Sequence, residues 1–361
     1  MPKTRRSSAD APAAAARFGR AVAELVLTAG LAACGTSVVA PPPAAPPAPA
    51  ATPPPAPARG EVLGENARFV IYVPSAGDSL KTIAKRFLGD EDRDWTIGDF
   101  NGVTRAEPGE ALVVPLQPID PIGVRADRVQ TVPILCYHRF GAAGGKMSMS
   151  PANFSQQLDW LDRNGYRVIR LAQLQGFLAG KQPLPQKSVV ITIDDGYESV
   201  HRYALPALRA HNFPATLFVY TDFIGAGNAL SWAQLQDLSR SGLIDVQAHS
   251  KTHRNLIERN PGESDAAYRQ ALEAEAKVPR ELIERRLQTP VKLFAYPFGD
   301  ANEQVLDVLS RQQYQLGVTV TPGGNAFYAQ PLMLRRTMIY GDHDLEAFKA
   351  RLQTSRGFAA P

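Results

Sequence analysis

From about residue 130 onward the chain alternates short apolar runs with stretches of helical periodicity. Val132–Tyr137 and Ser188–Ile193 are nearly unbroken apolar runs, the pattern of parallel strands covered on both faces. Residues 243–248 and 166–169 form shorter runs of the same kind. Between them, residues 151–164 put Phe154, Leu158 and Leu161 on one helical face, and 171–178 continue the helical pattern. This succession predicts an α/β architecture. Upstream, Phe69–Val73 reads as a strand. Gly77-Asp78-Ser79-Leu80 then opens a helix capped by Asp78 or Ser79, with Leu80, Ile83, Ala84 and Phe87 at helical spacing. Trp95 and Ile97 begin a second short helix, and Pro108-Gly109 turns into a closing strand at 111–114. The expectation is a small α+β unit ahead of a larger α/β one.

Composition adds an N-terminal segment of a different kind. Residues 41–58 are proline and alanine apart from Thr52, an extended spacer with no means of forming a core. Before it, basic residues precede an apolar stretch at 21–33, which reads as an export signal. That stretch is short for a membrane-spanning helix. It ends in Leu31-Ala32-Ala33-Cys34, which resembles a bacterial lipobox. The resemblance implies cleavage before Cys34, lipidation of that cysteine and a lipid anchor in the bacterial cell envelope. Gly35 lacks the aspartate linked to inner-membrane retention, so the expected place is the outer membrane, facing the periplasm.

The formal charge is +4, and Lys3, Arg5, Arg6, Arg17 and Arg20 carry most of that excess against Asp10 and Glu24. The rest of the chain offers no electrostatic case for nucleic-acid binding. If Cys34 carries lipid, the second of the two cysteines, Cys136, has no disulfide partner and packs as a small hydrophobe.

Two motifs carry candidate chemistry. Thr192-Ile193-Asp194-Asp195-Gly196 puts adjacent carboxylates at the end of an apolar strand, and His249-Ser250-Lys251-Thr252-His253 puts two imidazoles four residues apart after another. One carboxylate and two histidines can hold a divalent metal with a position left open for water. The remaining carboxylate is free to act as a base. In barrels of parallel strands chemistry sits at the C-terminal strand ends, where both motifs fall.

These motifs, with Asn212-Phe213-Pro214-Ala215-Thr216-Leu217-Phe218-Val219, Leu230-Ser231-Trp232 and Phe294-Ala295-Tyr296-Pro297-Phe298-Gly299, resemble the polysaccharide deacetylases of the NodB-homology type, carbohydrate esterase family 4. The resemblance implies a distorted (β/α) barrel. It makes Asp195, His249 and His253 the ligands of a divalent metal, zinc in the first instance with cobalt, nickel and iron as alternatives. It makes Asp194 the base and Tyr296, Pro297 and Phe298 a wall of the substrate groove, with the Phe298 N–H at the oxyanion. Trp232 is a stacking platform for a sugar or a core residue.

The chain departs from the family pattern twice. Ala295 stands where an arginine orients the base; Arg335 or Arg336 substitutes for it, or is a surface charge. No histidine follows Leu316, where the acid is expected. His138, after the strand Val132–Tyr137, is the candidate acid, as in a subgroup resembling biofilm poly-N-acetylglucosamine deacetylases. The upstream unit resembles a LysM module in Gly77-Asp78-Ser79-Leu80, Asn101 and Pro108-Gly109, which implies binding of N-acetylglucosamine-containing glycans.

The expected organisation is a signal at 1–33, a lipidated cysteine and linker at 34–66, a LysM-like module at 67–118 and a deacetylase domain at 125–361. The expected activity is metal-dependent N-deacetylation of an acetylated amino-sugar polymer, either peptidoglycan or a poly-N-acetylglucosamine exopolysaccharide. The rival is a non-catalytic glycan-binding lipoprotein with a relic barrel, against which the intact Asp194, Asp195, His249 and His253 argue. Cys34→Ser is expected to move the protein from the membrane fraction to a soluble or unprocessed form. Unchanged fractionation and mass would remove the lipobox reading.

Overall fold

The computed structural model describes residues 60–142 and 145–358; the expected export signal, Cys34 and the proline-alanine spacer lie outside the described residues. Strands β1 (Glu61–Glu65), β2 (Phe69–Val73) and β3 (Leu112–Pro115) form an antiparallel sheet with β2 in the middle. Helices α1 (Leu80–Leu88) and α2 (Asp94–Asn101) supply Ile83, Ala84 and Ile97 to a core shared with Val70, Tyr72 and Val114. Ser79 is the cap of α1: its hydroxyl accepts from the Thr82 N–H, while Thr82 Oγ1 accepts from the Ser79 N–H. Asp78 is used otherwise, accepting from the Tyr72 hydroxyl and the Ser75 N–H. The ordered unit begins before the expected boundary at 66/67, because β1 lies in the stretch assigned to the linker. No β1 residue is fully buried, so that strand leaves no apolar signal in the sequence.

The larger unit is built on six parallel strands: β4 (Val132–Tyr137), β5 (Ser188–Ile193), β6 (Ala215–Val219), β7 (Ile244–Ala248), β8 (Leu293–Ala295) and β9 (Leu316–Val318). They lie side by side in chain order. Both faces are covered. Val189, Ile191 and Ile193 of β5 pack with Leu158 of helix α3 (Pro151–Arg163), Leu235 of α4 (Trp232–Arg240) and Leu272 of α5 (Asp265–Leu287). Val190 turns the other way, into a cluster with Ile134, Phe218, Leu293, Leu316 and Leu334. This two-sided burial is why the strands read as apolar runs without alternation.

One late segment joins the two ends of the curled sheet. Leu334 bridges to Val318 of β9, and β10 (Thr337–Met338) pairs in parallel with Leu135 and Cys136 of β4. The result is the expected α/β fold, a curled sheet of the distorted (β/α) barrel kind. Because the six strands are parallel, His138, Asp194, Tyr220, His249 and Tyr296, each the residue that follows its strand, lie at the same end of the sheet. No helix among the described residues is long and apolar enough to cross a membrane.

Candidate metal and catalytic site

The chain must turn sharply as it leaves β5. The Asp194 N–H still extends the ladder, donating to Tyr137 O at 2.9 Å. Asp195 and Gly196 then take φ of 75° and 90°. A Cβ on Gly196 would come within 2.9 Å of Val219, so the turn requires glycine for both its conformation and its close approach. On β7 the His249 N–H donates to Val219 O at 2.9 Å, and the loop beyond places Ser250 and His253 at φ of 73° and 65°.

Three non-glycine residues in the left-handed region in these two turns is a strained arrangement that surrounding contacts must hold. Ser250 Oγ accepts from the His253 N–H at 2.9 Å. The buried Glu275 carboxylate on α5 accepts from the N–H groups of Lys251 and Thr252, both at 2.9 Å, and from the Thr252 hydroxyl at 2.7 Å.

These turns bring one carboxylate and two imidazoles together. Asp195 Oδ1 is 3.5 Å from His249 Nε2 and 3.4 Å from His253 Nε2. Two ligand atoms each about 2.0–2.1 Å from a shared tetrahedral ion stand roughly 3.3–3.4 Å apart, so the donor set and its spacing fit a zinc-type ion. His249 Nδ1 donates to the Ala295 carbonyl at 2.8 Å, so in the neutral ring Nε2 is the nitrogen available to a metal ion. Burial works to raise the Asp195 carboxyl, but the imidazoles of His249 and His253 outweigh it and hold it far below the usual range. Burial pushes His249 down; the Asp195 and Asp194 carboxylates more than offset it, and its pKa rises.

Beside this group stands Asp194, almost wholly buried. Arg336, 0% exposed, meets it with two parallel bonds, Nη1 to Oδ1 and Nη2 to Oδ2, each 2.7 Å. The guanidinium is held in turn by Thr319 O at 2.8 Å and Thr192 Oγ1 at 3.2 Å. Of the two arginines left open by the sequence, Arg336 is the one that pairs with Asp194, and Arg335 is exposed. Burial favours the neutral Asp194 carboxyl, yet Arg336 and then His249 bring its pKa below the ordinary value, so it stays ionised.

His138 lies next to Asp194, with Cys136 completing a group whose polar atoms are within 4.8 Å of one another. Burial lowers the His138 pKa against the attraction of Asp194 and Asp195. Cys136 is buried, as expected, but its thiol also reaches Asp194 Oδ2 at 3.5 Å.

The rim differs from the expectation. Phe298 is 59% exposed, with φ of 62° and its ring 5.0 Å from that of His253. Tyr296 is instead fully buried, its hydroxyl donating to Leu332 O at 2.7 Å, and Pro297 is buried too, so neither side chain forms a groove wall. Trp232 lies in the first turn of α4, against the core and under the Arg286 guanidinium, which corrects the stacking assignment toward packing. The aromatic surface near the ligand group comes from residues that sequence reasoning passed over. Tyr220 lies 5.0 Å from the His253 ring and stacks on Phe223, which meets Tyr197 edge-on. The other histidines are engaged elsewhere: His201 with Asp237, His211 with Asp159, His343 with the Tyr340 N–H and Arg351.

Two outcomes follow from this geometry. Arg336→Met strands a buried carboxylate, so it should lower stability by about 3–5 kcal/mol, measured by denaturant unfolding, while Arg335→Met stays near wild type. Equal effects of the two would remove Arg336 from its orienting role. Glu275→Ala frees the loop that carries His253 and should weaken metal affinity about 10–100-fold in chelator competition. His249→Ala should abolish stoichiometric metal binding.

The family model for polysaccharide deacetylase matches residues 181–317. That stretch contains Asp194, Asp195, His249 and His253; His138 and Arg336 flank it on either side. A putative polysaccharide deacetylase of Bacillus subtilis, YxkH, is 25% identical over 233 residues, covering 64% of this chain and 80% of that protein. The poly-beta-1,6-N-acetyl-D-glucosamine N-deacetylase of Escherichia coli is 25% identical over 243 residues, covering 58% of this chain but only 36% of that protein. Among solved structures, IcaB from Ammonifex degensii superposes with a TM-score of 0.56 at 27% identity, covering 62% of this chain and 97% of that one. Together, the family match and the shared fold support a polysaccharide deacetylase domain in this chain.

Proposed function

We propose that the protein is a metal-dependent N-deacetylase acting on the N-acetylglucosamine residues of a poly-N-acetylglucosamine-type polymer in the bacterial cell envelope. The observation that carries this reading is the buried Asp194–Arg336 pair set beside the Asp195, His249 and His253 group, with His138 close to the same carboxylate. The names of the relatives support the choice of polymer. The expected lipid anchor at Cys34 would keep the enzyme at the membrane where such a polymer passes. The LysM-like unit would bind the same class of glycan.

Asp195, His249 and His253 would hold a divalent ion, which when bound would supply Lewis-acid polarisation of the acetamide carbonyl and acidify a water. Asp194 takes the proton of the water that attacks the carbonyl carbon. Arg336 keeps that carboxylate ionised and fixes both of its oxygens, so the accepting lone pair has one direction. His138 delivers a proton to the departing nitrogen, the C–N bond breaks, and acetate and a free amine leave. The Phe298 side chain and the Tyr220 ring, each against the His253 ring, offer apolar surface to the sugar.

The test is acetate release from poly-β-1,6-N-acetylglucosamine oligomers and from purified peptidoglycan, with and without chelator. Chelator-sensitive release from the oligomers is expected. Release from peptidoglycan alone would move the substrate to the wall polymer, and release from neither would leave a glycan-binding protein. His138→Ala should slow turnover by about 10²–10⁴-fold with metal content intact. If His343→Ala produces that loss and His138→Ala does not, the acid comes from the C-terminal side of the barrel.

A further inference from the structure

The small unit and the barrel meet along a seam at the N-terminal ends of the strands. Arg167 Nη2 bonds the buried Asp94 at 2.7 Å, and the Gln186 N–H donates to Asp99 Oδ2 at 2.9 Å. The second Asp94 oxygen is buried without a hydrogen-bond partner among the described residues. A cavity of about 240 Å³ opens at this seam. From the small unit it is lined by Trp95, Asp99 and Phe100, and from the other side by Arg125, Arg128 and Lys187. Phe100 is 44% exposed, and among the described residues neither it nor Trp95 is packed into any of the three hydrophobic cores.

This lining has the chemistry of sugar recognition. A pyranose offers a face of C–H groups and a rim of hydroxyls. It takes aromatic rings against the face and planar carboxylate, guanidinium or carboxamide groups along the rim. Cavities at the junction of two structural units are also the preferred places for such ligands. Charge narrows the class further. Asp99 and Asp120 offset two of the three cations, so the cavity is no bare anion trap, and its mixed acceptors and donors suit the hydroxyl rim of a sugar.

Position separates the cavity from the reacting centre. Lys187 immediately precedes β5 and Asp194 immediately follows it, so at about 3.3 Å per residue the two lie roughly 20 Å apart, at opposite ends of the strand.

We propose that this seam cavity binds one residue of the N-acetylated amino-sugar polymer, as an anchoring site at the end of the barrel away from the metal ligands. The identity of the sugar rests on the deacetylase reading above. A second, weak site on the same polymer raises the local concentration of acetylated residues at the reacting end without any new contact there.

The experiment uses the full chain with Trp160→Phe and Trp232→Phe, which leaves Trp95 as its one indole. Titration with a pentamer of N-acetylglucosamine in the presence of chelator, so that no turnover occurs, should give a saturable change in Trp95 fluorescence. In the otherwise native protein, Trp95→Ala should weaken pentamer binding about tenfold, the worth of one stacked ring with its buried area. Loaded with metal, that variant should show a raised KM on polymer, with turnover of a disaccharide unchanged. If Trp95→Ala lowers the melting temperature, the exposed Arg125→Ala probes the same cavity and should weaken binding on its own. A silent Trp95, or native affinity in the folded variants, overturns the proposal. A Trp95 response in a protein that releases no acetate from any glycan would keep the seam site and remove the deacetylase reading. Acetate release with a silent Trp95 would do the reverse.

Discussion

The paired bonds between Arg336 and Asp194 tie the structure together. They join the end of the second barrel strand to the segment that links the sheet's two edges. Closure of the sheet and charging of the candidate base are thus one event. Without the guanidinium, a carboxylate with almost no exposure would be driven toward its neutral form. Without the carboxylate, a wholly buried guanidinium would keep only Thr319 O and Thr192 Oγ1. Each half is tolerable only in the presence of the other, and both depend on the β4–β10 pairing that brings them within reach.

The parts of this arrangement legible in the sequence are those carried by local pattern. An apolar run that ends in two acids, or in a histidine, announces a strand with its chemistry at the tip. The strands β4, β5 and β7 and the grouping of Asp195, His249 and His253 follow from that. The place of His138, at the tip of β4 and near Asp194, follows from the same logic. Arg336 was not separable from Arg335, because both lie just ahead of the two-residue strand β10 and nothing local marks which of the two side chains turns into the barrel. Glu275 was missed altogether. It lies on a 23-residue helix with its carboxylate turned to a loop that precedes the helix, and an acid among many helical acids has no signature.

The misread aromatics share one cause. Tyr-Pro-Phe suggests a surface turn, yet the register of β8 points Tyr296 inward, and only Phe298, in a left-handed conformation, faces out. Trp232 follows the capping serine of a helix whose first turn packs against the core and the long helix beside it. Tyr197 and Tyr220, by contrast, lie just beyond strand ends and inherit their place from the strands.

The order in which these parts occur along the chain has a consequence for biosynthesis. Every group of the candidate reacting centre is made before residue 334, and the lock that charges the base comes after it. A nascent or truncated chain ending there would possess the complete metal-ligand set and the nucleus of the sheet, and yet hold an idle carboxylate. The pairing that charges and orients the candidate base is therefore completed only by the segment that follows residue 334, as a wall stands only once its keystone is set.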